Sequence, residues 1–249
     1  LPSTFFSLNY TFGGGIPFGK ILEVAGEESS GKSLIAYNFA YACQQLGGHV
    51  IWVDAEQSWM NSWAETNGVD PEKVTVLNDT RIEYISDAVA DLAIYLRSQL
   101  THNEPILLVI DSIAAMDCAD NIDSKMVEGK AEMGGRAKAL YKYFRIRSEL
   151  FYKLGVTQIY INQLRTALNV GFGKDNTTTT GGAALKFYAS IRAAFYSGRS
   201  ITVKQKGKER KAGKLVTIRL IKNKVAPPRP TISKCPVYFN PKFHEVGFD

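Results

Sequence analysis

Cysteine is scarce in this chain: Cys43, Cys118 and Cys235 stand far apart in 249 positions, with no C-x-x-C pair among them. That excludes a zinc site of the usual spacing and a disulfide framework, and makes a reducing compartment, the cytoplasm, the expected setting. Long apolar runs are also missing. No stretch approaches the roughly 18 residues of a membrane-spanning helix, so no membrane role is expected. The opening Leu1-Pro2-Ser3-Thr4 lacks the basic and then apolar pattern of a secretory leader, and it lacks an initiator Met, which points to a trimmed chain. No internal repeat is visible. With 45% hydrophobic and 22% charged residues, the composition fits one globular domain with a substantial core.

Acidic residues are nearly absent from one window. Between Arg199 and Lys224 stand ten basic residues, Lys204, Lys206, Lys208, Arg210, Lys211 and Lys214 among them, against Glu209 alone. The window carries +9 of a total of +6, which leaves the rest of the chain at −3. An acidic body with one basic segment suits a polyanion at a defined place. A solvated hairpin tip has the same composition, and the window alone does not separate the two.

Apolar runs bounded by turn residues occur at Ile21 to Val24, Val50 to Val53, Val74 to Leu77, Ile106 to Ile110 and Val156 to Ile161. They read as buried parallel strands. Helix-length segments lie between them, roughly Lys32 to Leu46, Trp59 to Asn67, Ile82 to Leu100 and Met133 to Leu154. The alternation predicts an α/β fold, a mostly parallel twisted sheet with helices on both faces. Further on, Ala189 to Tyr196 and Leu215 to Ile221 read as an antiparallel hairpin extension separated by the basic segment, with Cys235 to Phe239 as another strand. Three prolines between Ala226 and Pro230 mark a surface crossing.

The first strand leads directly into Gly26-Glu27-Glu28-Ser29-Ser30-Gly31-Lys32-Ser33, the G-x-x-x-x-G-K-[ST] pattern in its proper frame of strand, loop and helix. The two glycines let successive backbone N–H groups turn toward a polyphosphate, and the helix opening at Lys32 adds its positive end. Lys32 is expected to neutralise the β and γ phosphates, and Ser33 to ligate Mg²⁺. Asp111 follows five apolar residues, an expensive place for a carboxylate unless it emerges at the strand's end; it is the expected second metal-site residue, holding the ion through water, with a helix cap as the alternative. The second strand ends in Asp54-Ala55-Glu56. Glu56 is the candidate for activating water, with Asp54 in support, although acidic strand ends also serve as caps. From Asn162 to Ser190 runs a polar stretch with four consecutive threonines, Thr177 to Thr180, and then Gly181-Gly182. It reads as a long working loop or a disordered excursion.

These pieces together resemble the RecA recombinases, in Glu28 to Ser33, Val53-Asp54-Ala55-Glu56, Val109-Ile110-Asp111-Ser112, Ile161-Asn162-Gln163-Leu164-Arg165, Thr178 to Gly182, Ala184 to Ser190 and Lys222-Asn223-Lys224. The matches run in order over nearly the whole chain. The resemblance implies a RecA-like P-loop NTPase core over 1–249, with ATP and Mg²⁺ bound between subunits of a helical filament on single-stranded DNA. It implies that Glu56 activates water, that Gln163 senses the γ phosphate, and that Lys222 and Lys224 reach a neighbour's phosphates. A solvated strand end is the plainer reading of that lysine pair. Trp63 falls where the family stacks a ring on adenine, with a core tryptophan as the alternative.

Two DNA loops are implied, Asn121 to Gly134 and Leu164 to Gly182, with Met133 and Leu168 wedging between base triplets and Gly181, Gly182 and Ala183 offering N–H groups to phosphates. Arg136, Arg145 and Arg165 are the expected cations there, contacts that hold a backbone without reading sequence. The chain departs from the family at Met60, at Thr166 and Ala167, near Asn176, and at Tyr196-Ser197, where relatives carry paired arginines. Lys206, Lys208, Arg210 and Lys211 are expected to replace those arginines as a secondary site for double-stranded DNA. The family's N-terminal polymerisation helix and C-terminal domain are not in the sequence, as in a core fragment or a minimal phage-borne variant. The expected activity is DNA-dependent ATP hydrolysis with homologous pairing and strand exchange. Two alternatives are a hexameric helicase or branch-migration motor on the same core, visible as closed rings, and a non-catalytic ATP-gated single-strand coating protein, which would show no DNA-stimulated phosphate release.

Overall fold

A computed structural model describes residues 1–123, 134–166, 177–205, 208–227 and 232–238. The apolar runs form the strands β1 (Ile21–Gly26), β2 (His49–Asp54), β3 (Val74–Leu77), β4 (Ile106–Asp111) and β5 (Val156–Thr166), of which β3 lies at the sheet's edge and is only half-buried. Every residue of β1 and of β4 is buried. Alternate side chains of one strand serve opposite faces, the period of two that a pleated strand imposes. In β4, Leu107 and Val109 join one core cluster while Ile106, Leu108 and Ile110 join the other.

Helices cover both faces. The first cluster includes Leu8 and Phe12 of α1 (Phe6–Phe12) and Ile35, Phe39 and Cys43 of α2 (Lys32–Gln45). The second includes Ile85, Val89 and Ala93 of α4 (Ile82–Gln99) and Leu140, Phe144 and Phe151 of α6 (Gly135–Lys153). In α4 these residues recur every three or four positions, and the helix has Glu83 in its first turn and Arg97 in its last, both favourable to the macrodipole. Burying Ile85 or Val89 stabilises the fold by about 1.5–3 kcal/mol each; a charge at fully buried Val89 would break this face. Short helices α3 (Asn61–Thr66) and α5 (Ala119–Asp123) follow β2 and β4. The helix α1 has no counterpart among the segments expected from sequence.

The described residues between Asn162 and Ser190 form strands and a helix where the sequence suggested a long loop. Strand β5 continues to Thr166, β6 (Thr177–Thr179) returns antiparallel to it, and α7 (Ala184–Tyr188) follows. Residues 167–176 lie outside the described residues. The hairpin differs from expectation as well. Strand β7 runs Ile191–Gln205 and β8 runs Lys208–Asn223, so the basic segment is itself ladder and not a turn between two short strands. Its β-branched residues, Ile201, Thr202 and Val203, continue the strand pattern between the cations, and Lys204 still pairs with Glu209. Strand β9 (Ile232–Tyr238) adds antiparallel to β8.

The sheet order is β3-β2-β4-β5-β1-β7-β8-β9, with β6 pairing β5 off this path. The strands β3 to β7 along that order are parallel, and β7, β8 and β9 are antiparallel. Register sets Asp54 beside Asp111 and Gly26 beside Gln163. The carboxyl ends of four parallel strands therefore form one row, the edge where open α/β sheets bind ligands. Among the described residues no helix is long and apolar enough to cross a membrane.

Candidate functional site

The loop between β1 and α2 is built by close approach. A Cβ on Gly26 would meet Ser30 Oγ at 2.5 Å and the Phe195 carbonyl at 2.8 Å, so only glycine lets the chain turn there against β7. Gly31 has φ +86° and caps α2. Ser30 Oγ donates to the Glu27 carbonyl at 2.8 Å and closes the loop on itself. Strand β7 braces it from outside: Glu27 N donates to the Phe195 carbonyl at 3.4 Å, and Ser197 N donates to Glu27 Oε2 at 3.3 Å.

A cavity of about 550 Å³ opens over this loop. Lys32, Ser33, Glu56, Trp63, Asp111 and Gln163 all line it, so four strand ends and α3 converge there. Lys32 Nζ donates to the Glu27 carbonyl at 2.6 Å. Burial holds its ammonium below the ordinary lysine pKa, against the opposing fields of Asp111, Glu56, Glu28 and Glu27. Ser33 Oγ donates to Asp111 Oδ2 at 2.8 Å. Burial pushes the Asp111 carboxyl up to about 6, opposed by the Ser33 hydrogen bond and reinforced by the Glu56 and Asp54 carboxylates.

Hydroxyl and carboxylate thus meet at one point beside a phosphate cradle. Hard oxygen donors in that number suit Mg²⁺, which keeps most of its shell as water and substrate phosphate. The residues present therefore fit a magnesium–triphosphate pair, which Ser33 and Asp111 would hold.

Glu56 is exposed and held from two sides, by Ser112 Oγ, which donates to its Oε1, and by its own N–H, which donates to the Asp111 carbonyl at 3.2 Å. Asp54 shapes the turn beneath it. Its carboxylate accepts from Ser58 N at 3.0 Å and from Trp59 N at 2.8 Å, the work of a cap that aims Glu56 at the cavity. Trp63 is 37% exposed on α3. The cavity also contains residues that motif reading missed: Lys214 and Val216 of β8, and Val237 and Tyr238 of β9. They lie some two hundred positions from the phosphate loop in sequence, and only the pairing of β8 with β9 gives them away.

Beneath Gln163 sits a buried polar cluster that sequence reading also missed. Asn162 Nδ2 donates to Glu23 Oε1 at 3.0 Å and to the Thr180 carbonyl at 3.0 Å, and Arg192 Nε donates to Glu23 Oε2. Glu23 is 1% exposed, Asn162 fully buried. Gln163 leads through β5 to the β6 hairpin and then to Gly181 and Gly182. At Gly181 φ is +88°, and a Cβ would lie 2.8 Å from Leu140 of α6, so glycine is required to dock this turn on the helix.

The turn and α6 enclose an open cleft of about 460 Å³ lined by Lys138, Tyr141, Lys142, Arg145, Ala183 and Ala184. Arg145 and Ala183 are thus brought together with Lys138 and Lys142, while Gly181 and Gly182 pack beside Leu140 and Ala137 of α6. Arg136 is turned elsewhere. Its guanidinium donates to the Ala114 carbonyl at 3.3 Å and pairs with Asp117 at 3.5 Å, because the first residues of α6 lie against the chain leaving β4. Met133 and Leu168 fall outside the described residues, as do Lys206 and the side chain of Arg165. Lys208, Arg210 and Lys211 are exposed along the ribbon.

Lys222 and Lys224 are not near the phosphate loop of their own chain. Lys222 pairs with Arg192, itself opposite Glu23, three residues before Gly26. Lys222 Nζ donates to the Lys186 and Phe187 carbonyls at 2.7 and 3.1 Å, capping the end of α7, while Lys224 is exposed. Burial, together with Lys224 and Arg192, lowers the Lys222 pKa.

The family model described as the RecA N-terminal domain matches residues 1–240. The protein RecA of Picosynechococcus sp. is 33% identical over 248 residues, covering 99% of this chain and 67% of that protein. The RecA of Wolinella succinogenes is 38% identical over 216 residues, covering 86% of this chain and 58% of the relative. That of Bacteroides thetaiotaomicron is 35% identical over 230 residues, covering 92% and 65%. The chain therefore spans about three fifths to two thirds of the length of these relatives. A phosphate loop, an acidic strand end, an Asn-Gln strand end and a match over nearly the whole chain lead to one assignment: this chain belongs to the family of the RecA N-terminal domain.

Proposed function

We propose that the chain is the single-domain ATPase core, residues 1–249, of a recombinase that binds ATP with Mg²⁺ in the cavity over Gly26 to Ser33, assembles as a helical filament on single-stranded DNA, and pairs that strand with a homologous duplex. The observation that carries this reading is one continuous path. Gln163 lines the nucleotide cavity, and the same β5 strand leads to the hairpin and turn whose Gly181, Gly182 and Ala183 meet α6 at a cationic cleft.

In this reading Lys32 and the loop N–H groups hold the phosphates, and Ser33 and Asp111 hold the metal, whose charge eases phosphate displacement. Glu56, steadied by Ser112, takes the proton from the attacking water. Trp63 and Tyr238 offer aromatic surface to the base. The Gln163 amide senses the terminal phosphate, and Asn162 transmits its position to Thr180. Arg145, Arg165, Met133, Leu168 and the glycine pair hold single-stranded DNA. The exposed ribbon cations Lys208, Arg210 and Lys211, with Lys206, form the secondary site for duplex. Neither Lys222 nor Lys224 lines the nucleotide cavity of its own chain, and in this reading their charge serves a neighbouring subunit. The three unpaired cysteines suit work in the cytoplasm.

The decisive experiment is the ATPase rate with and without single-stranded DNA across protein concentration. Stimulation by DNA that steepens with concentration supports a site completed by assembly. A rate indifferent to both DNA and concentration refutes it.

A further inference from the structure

Lys214 belongs by sequence to the basic segment but not, in the fold, to the ribbon. It sits at the ribbon's root, paired with Ser200 on one side and Val237 on the other, one residue inside the last β8–β9 pair, Gly213 with Tyr238. Lys208, Arg210 and Lys211 are exposed, whereas Lys214 is half-buried and lines the nucleotide cavity. Its Nζ donates to the Ser29 carbonyl, within the phosphate loop, at 3.5 Å. At that length the bond is weak and readily exchanged for one to an anionic oxygen.

The charges around the cavity give this placement a purpose. Glu28, Glu56 and Asp111 line it, against Lys32 and Lys214. Four carboxylates, those three and Glu27, already act on the Lys32 ammonium. A polyphosphate entering this acidic surround needs more positive charge than the loop lysine supplies. We infer that Lys214 is a second phosphate-binding cation of the nucleotide site, supplied by the hairpin of the same chain, and that it makes binding favour nucleotides with more phosphates. The inference rests on the reading of this cavity as an ATP site. It also means that bound nucleotide tethers the root of the basic ribbon.

The test compares wild type, Lys214→Met, Lys214→Arg and Lys32→Ala for binding of a fluorescent ATP analogue, with AMP measured by competition. Lys214→Met is expected to weaken the ATP analogue about tenfold, as for one charge-assisted contact at a partly exposed site. It should change AMP by less than about twofold and make the salt dependence of ATP binding shallower. Lys214→Arg should stay within about threefold of wild type. Unchanged ATP affinity in Lys214→Met overturns the inference, as does an equal loss for ATP and AMP or an equal loss in the Met and Arg variants. If Lys214→Met does not fold, Lys214→Gln, neutral and polar with a side chain one atom shorter than lysine's, carries the same comparison. Failure of the ATP reading itself looks different: Lys32→Ala would then bind the analogue as wild type does.

Discussion

Removing the guanidinium beneath Gln163 tests the fold at a buried ion pair. Glu23 lies in the middle of β1 at 1% exposure, and the Arg192 side chain that donates to it is 12% exposed. Arg192→Met keeps much of the apolar stem but leaves a buried carboxylate with a single donor, Asn162 Nδ2 at 3.0 Å. Breaking a buried pair from one side costs about 3–5 kcal/mol. The retained amide bond and the preserved packing put this variant at the lower end, about 3 kcal/mol. Glu23→Gln with Arg192→Met removes both charges and still lets the amide oxygen accept from Asn162, so the double variant should lose only about 1–2 kcal/mol. The assay is urea unfolding followed by tryptophan fluorescence, at fixed protein concentration and without nucleotide. A loss below about 1 kcal/mol for Arg192→Met, or a double variant less stable than the single, would refute the buried-pair argument. Because Asn162 also holds the Thr180 carbonyl, Arg192→Met should weaken single-stranded DNA binding as well.

Glu56→Gln keeps the acceptor for Ser112 and removes the base. ATP affinity should be retained while turnover falls by about 10²–10⁴, and comparable losses in affinity would assign Glu56 to structure instead. Neutralising Lys206, Lys208, Arg210 and Lys211 together should weaken duplex capture and flatten its salt dependence while leaving single-strand binding nearly intact; equal effects on both would argue against a separate site. Asp111 predicts a pH dependence. Its folded pKa, about 6, lies above the unfolded value of 3.8, so the folded chain holds a proton that the unfolded chain has released. Stability from this group is full below the unfolded value and is lost as pH rises through about 6, by roughly 3 kcal/mol at most. Asp111→Asn should remove that slope in urea midpoints measured in chelator between pH 4.5 and 7, and a parallel profile in the variant would refute the assignment.

The amino-acid sequence determined the parallel core and the chemistry at its edge. Buried strands of a parallel sheet read as continuous apolar runs, and the phosphate loop, Glu56 and Asp111 each follow directly on such a run, so local order sufficed to find them. The tertiary structure alone decided which distant residues join that edge. Lys214 looks in sequence like one more cation of a basic tip, but a third strand, β9, pairs β8 as far as Gly213 and turns Lys214 over the phosphate loop. Arg136 looks like a DNA cation, and the start of α6 lies against the chain after β4, so its charge goes to Asp117. Glu23 and Arg192 are 169 residues apart, and nothing local in either strand marks them as partners. Motifs are written in neighbouring residues because a turn and its flanking strand impose local geometry. Strand register and burial are set by pairing across the sheet, and that pairing decides whether a charge meets solvent, a ligand or another charge.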